Sequence, residues 1–178
     1  MHHESKISST EIYRGYVFRV TEDQVLLENE KQAVREIVHH NGGVCVAALD
    51  QDDNLLFVRQ FRYALGEEVL ELPAGKREKD EDPALCGIRE LEEETGYQAD
   101  SFRLLTVMYP TVGYCSEIIH IYLAEGLHPA HQHLDEDEFL DVEKIPFQTA
   151  LEMVLRDEIP DAKTQLAILK IYALRNQK

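Results

Sequence analysis

The stretch from Gly75 to Tyr97 reads GKREKDEDPALCGIRELEEETGY, and its punctuation predicts a helix. Pro83 suits the first turn, where its missing N–H is not needed, and Gly96 suits the left-handed stop. Ala84, Gly87, Ile88, Leu91 and Thr95 recur at three- and four-residue steps and form a packing face. Glu90, Glu93 and Glu94 crowd a second face at i, i+3 and i+4, where like charges each cost a few tenths of a kcal/mol. A cation would offset that repulsion, and hard divalent ions prefer carboxylate oxygen. Arg89, four residues before Glu93, can orient it. For a bare acidic run the competing reading is a solvated helix face.

Spacing decides between the two. Gly75, Glu81, Arg89, Glu90, Glu93, Glu94 and Gly96 fill all seven fixed positions of a pattern written G-x5-E-x7-R-E-U-x-E-E-x-G-U, with U bulky and apolar. At roughly 7% usage per residue type, seven such matches arise by chance on the order of once in 10⁸ starting positions. The segment resembles the Nudix box of the Nudix hydrolase family. Only the last apolar position departs from the pattern, being Tyr97.

The chain has 178 residues, 44% of them hydrophobic, enough for one domain with a substantial core or one domain plus a small extension. Its net charge of −16 disfavours nucleic acid and anionic membranes as partners. An enzyme for phosphates would then need bound cations. The polar start MHHESKISSTEIY has no signal-peptide core, and the apolar run Val44–Leu49 is far too short to span a bilayer. Three cysteines without a CxxC motif fit reduced thiols in a cytoplasmic protein.

Along the chain, Tyr13–Val20, Gln24–Leu27 and Ala33–Val38 read as three strands of a small sheet. A sheet of that size cannot bury much alone and needs a partner surface. After the turn His40-Asn41-Gly42-Gly43, Val44–Leu49 reads as a buried strand and Leu55–Arg62 as its return. Val69–Ala74 leads into Gly75. Arg103–Met108, Glu117–Ala124 and Phe139–Ile145 are further strands, and Gly126–Glu138 reads as a His-rich loop. His128, His131 and His133 there lack a nearby fourth ligand for zinc, so a solvated loop is expected. Two helices close the chain, Pro146–Arg156 and 161–176, the second capped by Asp161. The expectation is an α/β fold divided into an N-terminal β extension, 1–40, and a main domain, 41–178.

The resemblance implies the same architecture: an α/β/α sandwich with a mixed β-sheet, plus a small N-terminal antiparallel sheet. It extends beyond the box. Tyr13-Arg14-Gly15, Leu72-Pro73-Ala74-Gly75, Tyr109-Pro110, Ser116-Glu117 and Leu134–Glu138 are similar to the ADP-ribose pyrophosphatase branch. Carried over residue by residue, the resemblance implies that Glu90 and Glu94 hold metal, with Glu93 assisting and the Ala74 carbonyl as a backbone ligand. Two or three Mg²⁺ or Mn²⁺ ions are implied. Glu136 is the implied general base, with Glu138 as second choice. Arg35 and Arg62 match arginines that hold phosphate or distal ribose. Tyr16 matches an aromatic that stacks on adenine, and Glu117 is a candidate to bind a ribose hydroxyl. Thr111-Val112-Gly113 departs from the usual Ser-Pro-Gly loop, which bears on the fit to that ribose.

The implied activity is hydrolysis of ADP-ribose to AMP and ribose 5-phosphate by a cytoplasmic homodimer joined through its N-terminal sheet. Another nucleoside diphosphate sugar, such as GDP-mannose or ADP-glucose, is an alternative substrate. A non-catalytic nucleotide-binding module is a third reading, against which the intact glutamate set argues.

Overall fold

The computed structural model describes residues 2–177. They divide into two compact units: residues 2–42 with Tyr109–Ile118, and Gly43–Met108 with residues 119–177.

The first unit is an antiparallel sheet of β1 (Ser5–Arg14), β2 (Phe18–Leu26) and β3 (Gln32–His40), with β2 in the middle. Thr21, Asp23 and Val25 are buried at two-residue spacing on β2, as a half-covered strand requires. The segment Tyr109–Ile118 runs along β3: Val38 N–H donates to the Tyr114 carbonyl at 2.8 Å, and Ser116 N–H to the Val38 carbonyl at 2.9 Å. Tyr13–Val20 is therefore not one strand. The chain turns at Gly15–Val17, where Gly15 N–H donates to the Phe18 carbonyl at 2.9 Å. The Tyr13 ring folds so closely over Gly15 that a Cβ there would lie 2.5–2.9 Å from ring and hydroxyl atoms. The first strand instead begins at Ser5. Its polar residues give no alternation because the whole strand is exposed.

The second unit carries a larger mixed sheet. It comprises β4 (Gly43–Leu49), β5 (Asn54–Arg62), β6 (Glu67–Glu71), β7 (Ala74–Lys76), β8 (Tyr97–Met108), β9 (Ile119–Pro129) and β10 (Leu140–Pro146). The main order is β10-β5-β4-β9-β8; β6 pairs with β5, and β7 with β4. Only the β4–β9 pairing is parallel. The helices are α1 (Pro83–Thr95), α2 (Phe147–Leu155) and α3 (Ala162–Arg175). Strand alternation sorts the core into two faces. Cys45, Ala47, Leu49, Leu55, Phe57, Ile121 and Leu123 pack with α2 and α3. Val46, Ala48, Leu56 and Ala124 pack with Leu91 of α1, and Val44 and Tyr122 with Cys86 of the same helix. A sheet covered on both faces needs near-continuous apolar central strands, and β4 is buried throughout. The second unit is thus an α/β/α sandwich.

Several boundaries differ from those the sequence suggests. β8 starts at Tyr97, directly after the helix stop, and β9 runs on through Gly126–Pro129. Only Tyr97, Ala99, Phe102 and Leu127 of these extensions pack, half-buried, against the core, which leaves a short and broken hydrophobic period. On α1, Ile88 is 42% exposed while Cys86 is fully buried. The packing stripe is rotated because Gly87 lets the helix approach β8: a Cβ there would meet the Phe102 ring at 2.8 Å.

The ends of α1 are well capped. The Asp82 carboxylate accepts from the N–H groups of Ala84 and Leu85, and Gly96 stops the helix at φ 71°. Asp161 caps α3 by accepting from Thr164 N–H. Replacing Asp82 with alanine should lower stability to urea by about 1 kcal/mol, the usual worth of an N-cap. An unchanged midpoint would refute the cap's contribution.

Candidate active site

Glu90 and Glu94 lie one turn apart on the side of α1 that faces β7. Both are buried, at 8% and 2% exposure. The face expected to be acidic is therefore largely sealed from solvent rather than bathed in it. Glu94 Oε2 accepts from the Ala74 N–H at 2.9 Å. Glu90 lies against Gly75, where an added Cβ would fall 1.8 Å from its carboxyl carbon. Any side chain at position 75 would occupy the place of that carboxylate.

Burial sets the protonation of the pair. It pushes the Glu90 carboxyl up to about 7, with Arg89 opposing and Glu93 and Glu138 reinforcing. It pushes Glu94 up to about 8, opposed by the Ala74 N–H and reinforced by Glu90 and Glu138. Two buried carboxyls that resist ionisation together form a site that a cation would stabilise.

Arg89 organises the outer edge. Its Nη1 contacts Glu90 Oε1 at 2.9 Å and Glu93 Oε2 at 2.7 Å, and its Nε reaches Glu81 Oε1 at 3.3 Å. Glu81 is held in turn, accepting from Glu78 N–H at 2.8 Å, while the Arg77 guanidinium donates to the Glu81 carbonyl. Arg89 thus joins Glu81, Glu90 and Glu93 of the box in one connected network, with Glu94 held separately by Ala74.

The loop after β9 is fastened to the far end of α1. Gln132 Nε2 donates to the Glu94 carbonyl at 2.6 Å, and His133 N–H to the Glu93 carbonyl at 3.1 Å. Ala130 N–H donates to the Gly96 carbonyl at 2.7 Å. These bonds satisfy carbonyls that a helix C-terminus leaves open. The loop continues into a turn in which Glu138 N–H donates to the Asp135 carbonyl at 3.0 Å. The charge of Glu138 reaches both Glu90 and Glu94. Glu136 occupies the same exposed turn. The His131 and His133 rings stand 6.3 Å apart.

Arg62, at the end of β5, pairs through Nε with Glu71 Oε1 at 2.5 Å and also feels the charge of Glu94. The structure therefore brings together Ala74, Glu90, Glu93, Glu94, Arg62 and Glu138. The remaining candidates belong to the first unit. Tyr16 stands fully exposed on the β1–β2 turn. Arg35 grips Glu4 through two nitrogens at 2.6 and 3.0 Å, and Glu117 lies 3.3 Å from His40 Nδ1.

The donors fit a hard divalent ion. They are carboxylate and carbonyl oxygens, two of the carboxylates being buried beside a backbone that only glycine allows to pass. Among the described residues no three His, Cys, Asp or Glu side chains close into a cage. Hard ions such as Mg²⁺ commonly take one or two carboxylates and fill the shell with water and substrate phosphate.

Sequence reasoning assigned no role to Glu71, Asp82, Arg77 or Gln132. Glu71 alone left a trace, as a lone charge in the apolar run Val69–Leu72.

Two predictions follow from burial at this site. Glu90 and Glu94 have folded-state pKa values above their unfolded ones, so their contribution to stability is full at low pH. It is lost as pH rises towards about 7 and 8. Without divalent ions the melting temperature should fall across that window, and Glu94→Gln should flatten the fall. Added Mg²⁺ should raise it more at pH about 8.5 than at about 6, because only the ionised pair binds well. An equal rise at both would refute the metal site. Gly75→Ala should displace Glu90 and abolish the Mg²⁺-dependent rise, as read by thermal shift.

The model of the NUDIX domain matches residues 39–166. An ADP-ribose pyrophosphatase of Bacillus subtilis strain 168 is 41% identical, covering 98% of this chain and 97% of that protein. A methanol dehydrogenase activator of Bacillus methanolicus is 39% identical, covering 93% and 90%. A solved structure described as an ADP compounds hydrolase superposes with a TM-score of 0.85 at 20% identity, over 98% of this chain and 95% of that one; at that identity it speaks for the fold. With its complete glutamate box set on α1 and β7, this chain belongs to the Nudix family.

Proposed function

We propose that this protein is a Mg²⁺-dependent pyrophosphohydrolase that cleaves ADP-ribose to AMP and ribose 5-phosphate. The observation that carries the reading is the buried Glu90–Glu94 pair packed on Ala74 and Gly75. The near full-length likeness to an ADP-ribose pyrophosphatase supports the choice of substrate.

Glu90, Glu94 and the Ala74 carbonyl would hold the metal, with Glu93 joining when it leaves Arg89. When bound, the metal supplies charge neutralisation at the diphosphate and activation of water. Glu138 accepts the proton from the attacking water; its electrostatic reach to both buried glutamates favours it over Glu136. As the water oxygen bonds to phosphorus, the anhydride P–O bond breaks and its electron pair leaves on the departing phosphate. Arg62 presents a guanidinium fork suited to a phosphate. Tyr16 stacks on the adenine, while Arg35 and Glu117 contact phosphate and ribose. For Arg35 that role requires exchanging Glu4 for substrate.

The N-terminal sheet supports a homodimer. β1 is exposed along its whole length, and Ile7, Ile12, Tyr13, Val17 and Phe18 are apolar residues left open to solvent. Sedimentation as a monomer at working concentration would overturn this. Cys45, Cys86 and Cys115 are free thiols, as a cytoplasmic setting allows. No helix among the described residues is long and apolar enough to cross a membrane.

The test is product analysis with Mg²⁺ and ADP-ribose, GDP-mannose or ADP-glucose, in ¹⁸O-labelled water to mark the attacked phosphorus. ADP-ribose should turn over fastest. Glu94→Gln should lower kcat by orders of magnitude in a folded protein. Glu138→Gln should lower it about 10²–10⁴-fold with little change in substrate affinity, and Glu136→Gln much less. The opposite ranking of the last two would transfer the base to Glu136.

A further inference from the structure

Glu71 is an unusual residue to find between Leu70 and Leu72 in the core. It is 2% exposed and meets two cations, one on each oxygen. Oε1 accepts from Arg62 Nε at 2.5 Å, and Oε2 accepts from the Lys163 ammonium of α3. Lys163 also donates to Asp161 Oδ1 at 3.0 Å. Asp161 Oδ2 accepts from the Thr164 N–H at 3.0 Å and from its hydroxyl at 2.6 Å. Thr164 Oγ1 accepts in turn from the Leu72 N–H at 2.9 Å. The first turn of α3 is therefore bonded both to the Glu71 side chain, through Lys163, and to the backbone beside it, through Thr164, two residues before Ala74.

Two details set this apart from an ordinary buried ion pair. In the β5–β6 ladder Arg62 stands opposite Glu67, yet its guanidinium runs along the strand to Glu71, which stands opposite Val58. Lys163 is shared between Glu71 and Asp161, so Arg62 supplies the second positive charge of a four-membered cluster while reaching it from the far end of the ladder. Arg62 spends only Nε on this bond; neither Nη makes a hydrogen bond to a described residue. An arginine held by Nε keeps the two-pronged end of its guanidinium for another acceptor.

We propose that Glu71, braced by Lys163, is a positioning residue that aims the Nη groups of Arg62 at a phosphate of the substrate beside Glu94. The proposal rests on the reading above of Arg62 as a phosphate ligand. Glu71 does not touch the substrate; it removes the rotational freedom that Arg62 would otherwise lose on binding.

A double-mutant cycle tests it, with kcat and KM for Mg²⁺–ADP-ribose measured for Glu71→Gln, Arg62→Ala and the double variant. Glu71→Gln should raise KM about tenfold with a smaller change in kcat. It should add nothing to KM once Arg62 is alanine. Glu71→Asp, which keeps the charge but shortens the reach, should resemble Glu71→Gln and serves if the glutamine variant does not fold. An unchanged KM in either folded variant, or an equal rise in the Arg62→Ala background, would overturn the proposal. A second readout needs no turnover. The ¹⁵Nε–H resonance of Arg62, identified by its loss in Arg62→Lys, should be sharp and protected in the parent protein. It should become exchange-broadened in the Glu71 variants, and persistence there would equally refute the role. A parent protein that turns over no diphosphate would sink the function while leaving the resonance to decide Glu71.

Discussion

Two carboxylates kept out of water, one turn apart, are the constraint on which the site depends. Burial favours their neutral forms, and neighbouring carboxylates add to it: Glu93 and Glu138 at Glu90, Glu90 and Glu138 at Glu94. A protein would not hold such a pair for stability alone, since desolvated charge without a partner is among the more expensive things a fold can contain. The surrounding features fit that tension. Gly75 makes room for one carboxylate, the Ala74 N–H steadies the other, and Arg89 supplies a positive charge from the edge without filling the space between them. The pair is poised to gain from a cation.

The rest of the second unit holds α1 and β7 at this separation. Cys86 and Leu91 anchor the helix on β4, β5 and β9, and the missing side chain of Gly87 sets how closely it seats on Phe102. β7 is short and pairs with β4, so the strand that presents Ala74 and Gly75 is fixed to the most deeply buried strand of the sheet. On the other face, α3 reaches the same corner through Thr164 and Lys163. The site thus draws rigidity from both layers of the sandwich.

The sequence showed the box because its chemistry demands fixed spacing, and the central strands because burial on both sides demands continuous apolar runs. Asp161 was readable as a cap for a similar reason, a local bond with a local signature. Other features had no such mark. Ser5–Arg14 is an exposed edge whose polar residues look like a tail, and the Gly15 turn interrupts a run that is rich in strand formers on both sides. The outer half of β9 is half exposed and so lacks a period. Ile88 matched the helical stripe, but the rotation that exposes it is set by a contact with Phe102, fifteen or so positions along the chain. Glu71 needs partners from β5 and α3, which no local pattern announces. Glu138 and Glu136 are neighbours in sequence and separate only through the electrostatics of the folded loop.

The bonds from Ala130, Gln132 and His133 to the end of α1 have a consequence for how the chain can diverge. The segment upstream of His133 is stapled to the carbonyls of the helix that bears Glu90 and Glu94. Insertions or deletions there would unstitch that helix terminus. The span between His133 and Glu138 carries no such obligation. It is a tether of adjustable length hung from a fixed peg, and lengthening or shortening it would change where the acidic turn arrives while leaving the helix alone. A change of length in this loop can therefore move the acidic turn without disturbing the helix and strand that hold Glu90, Glu94 and Ala74 in place.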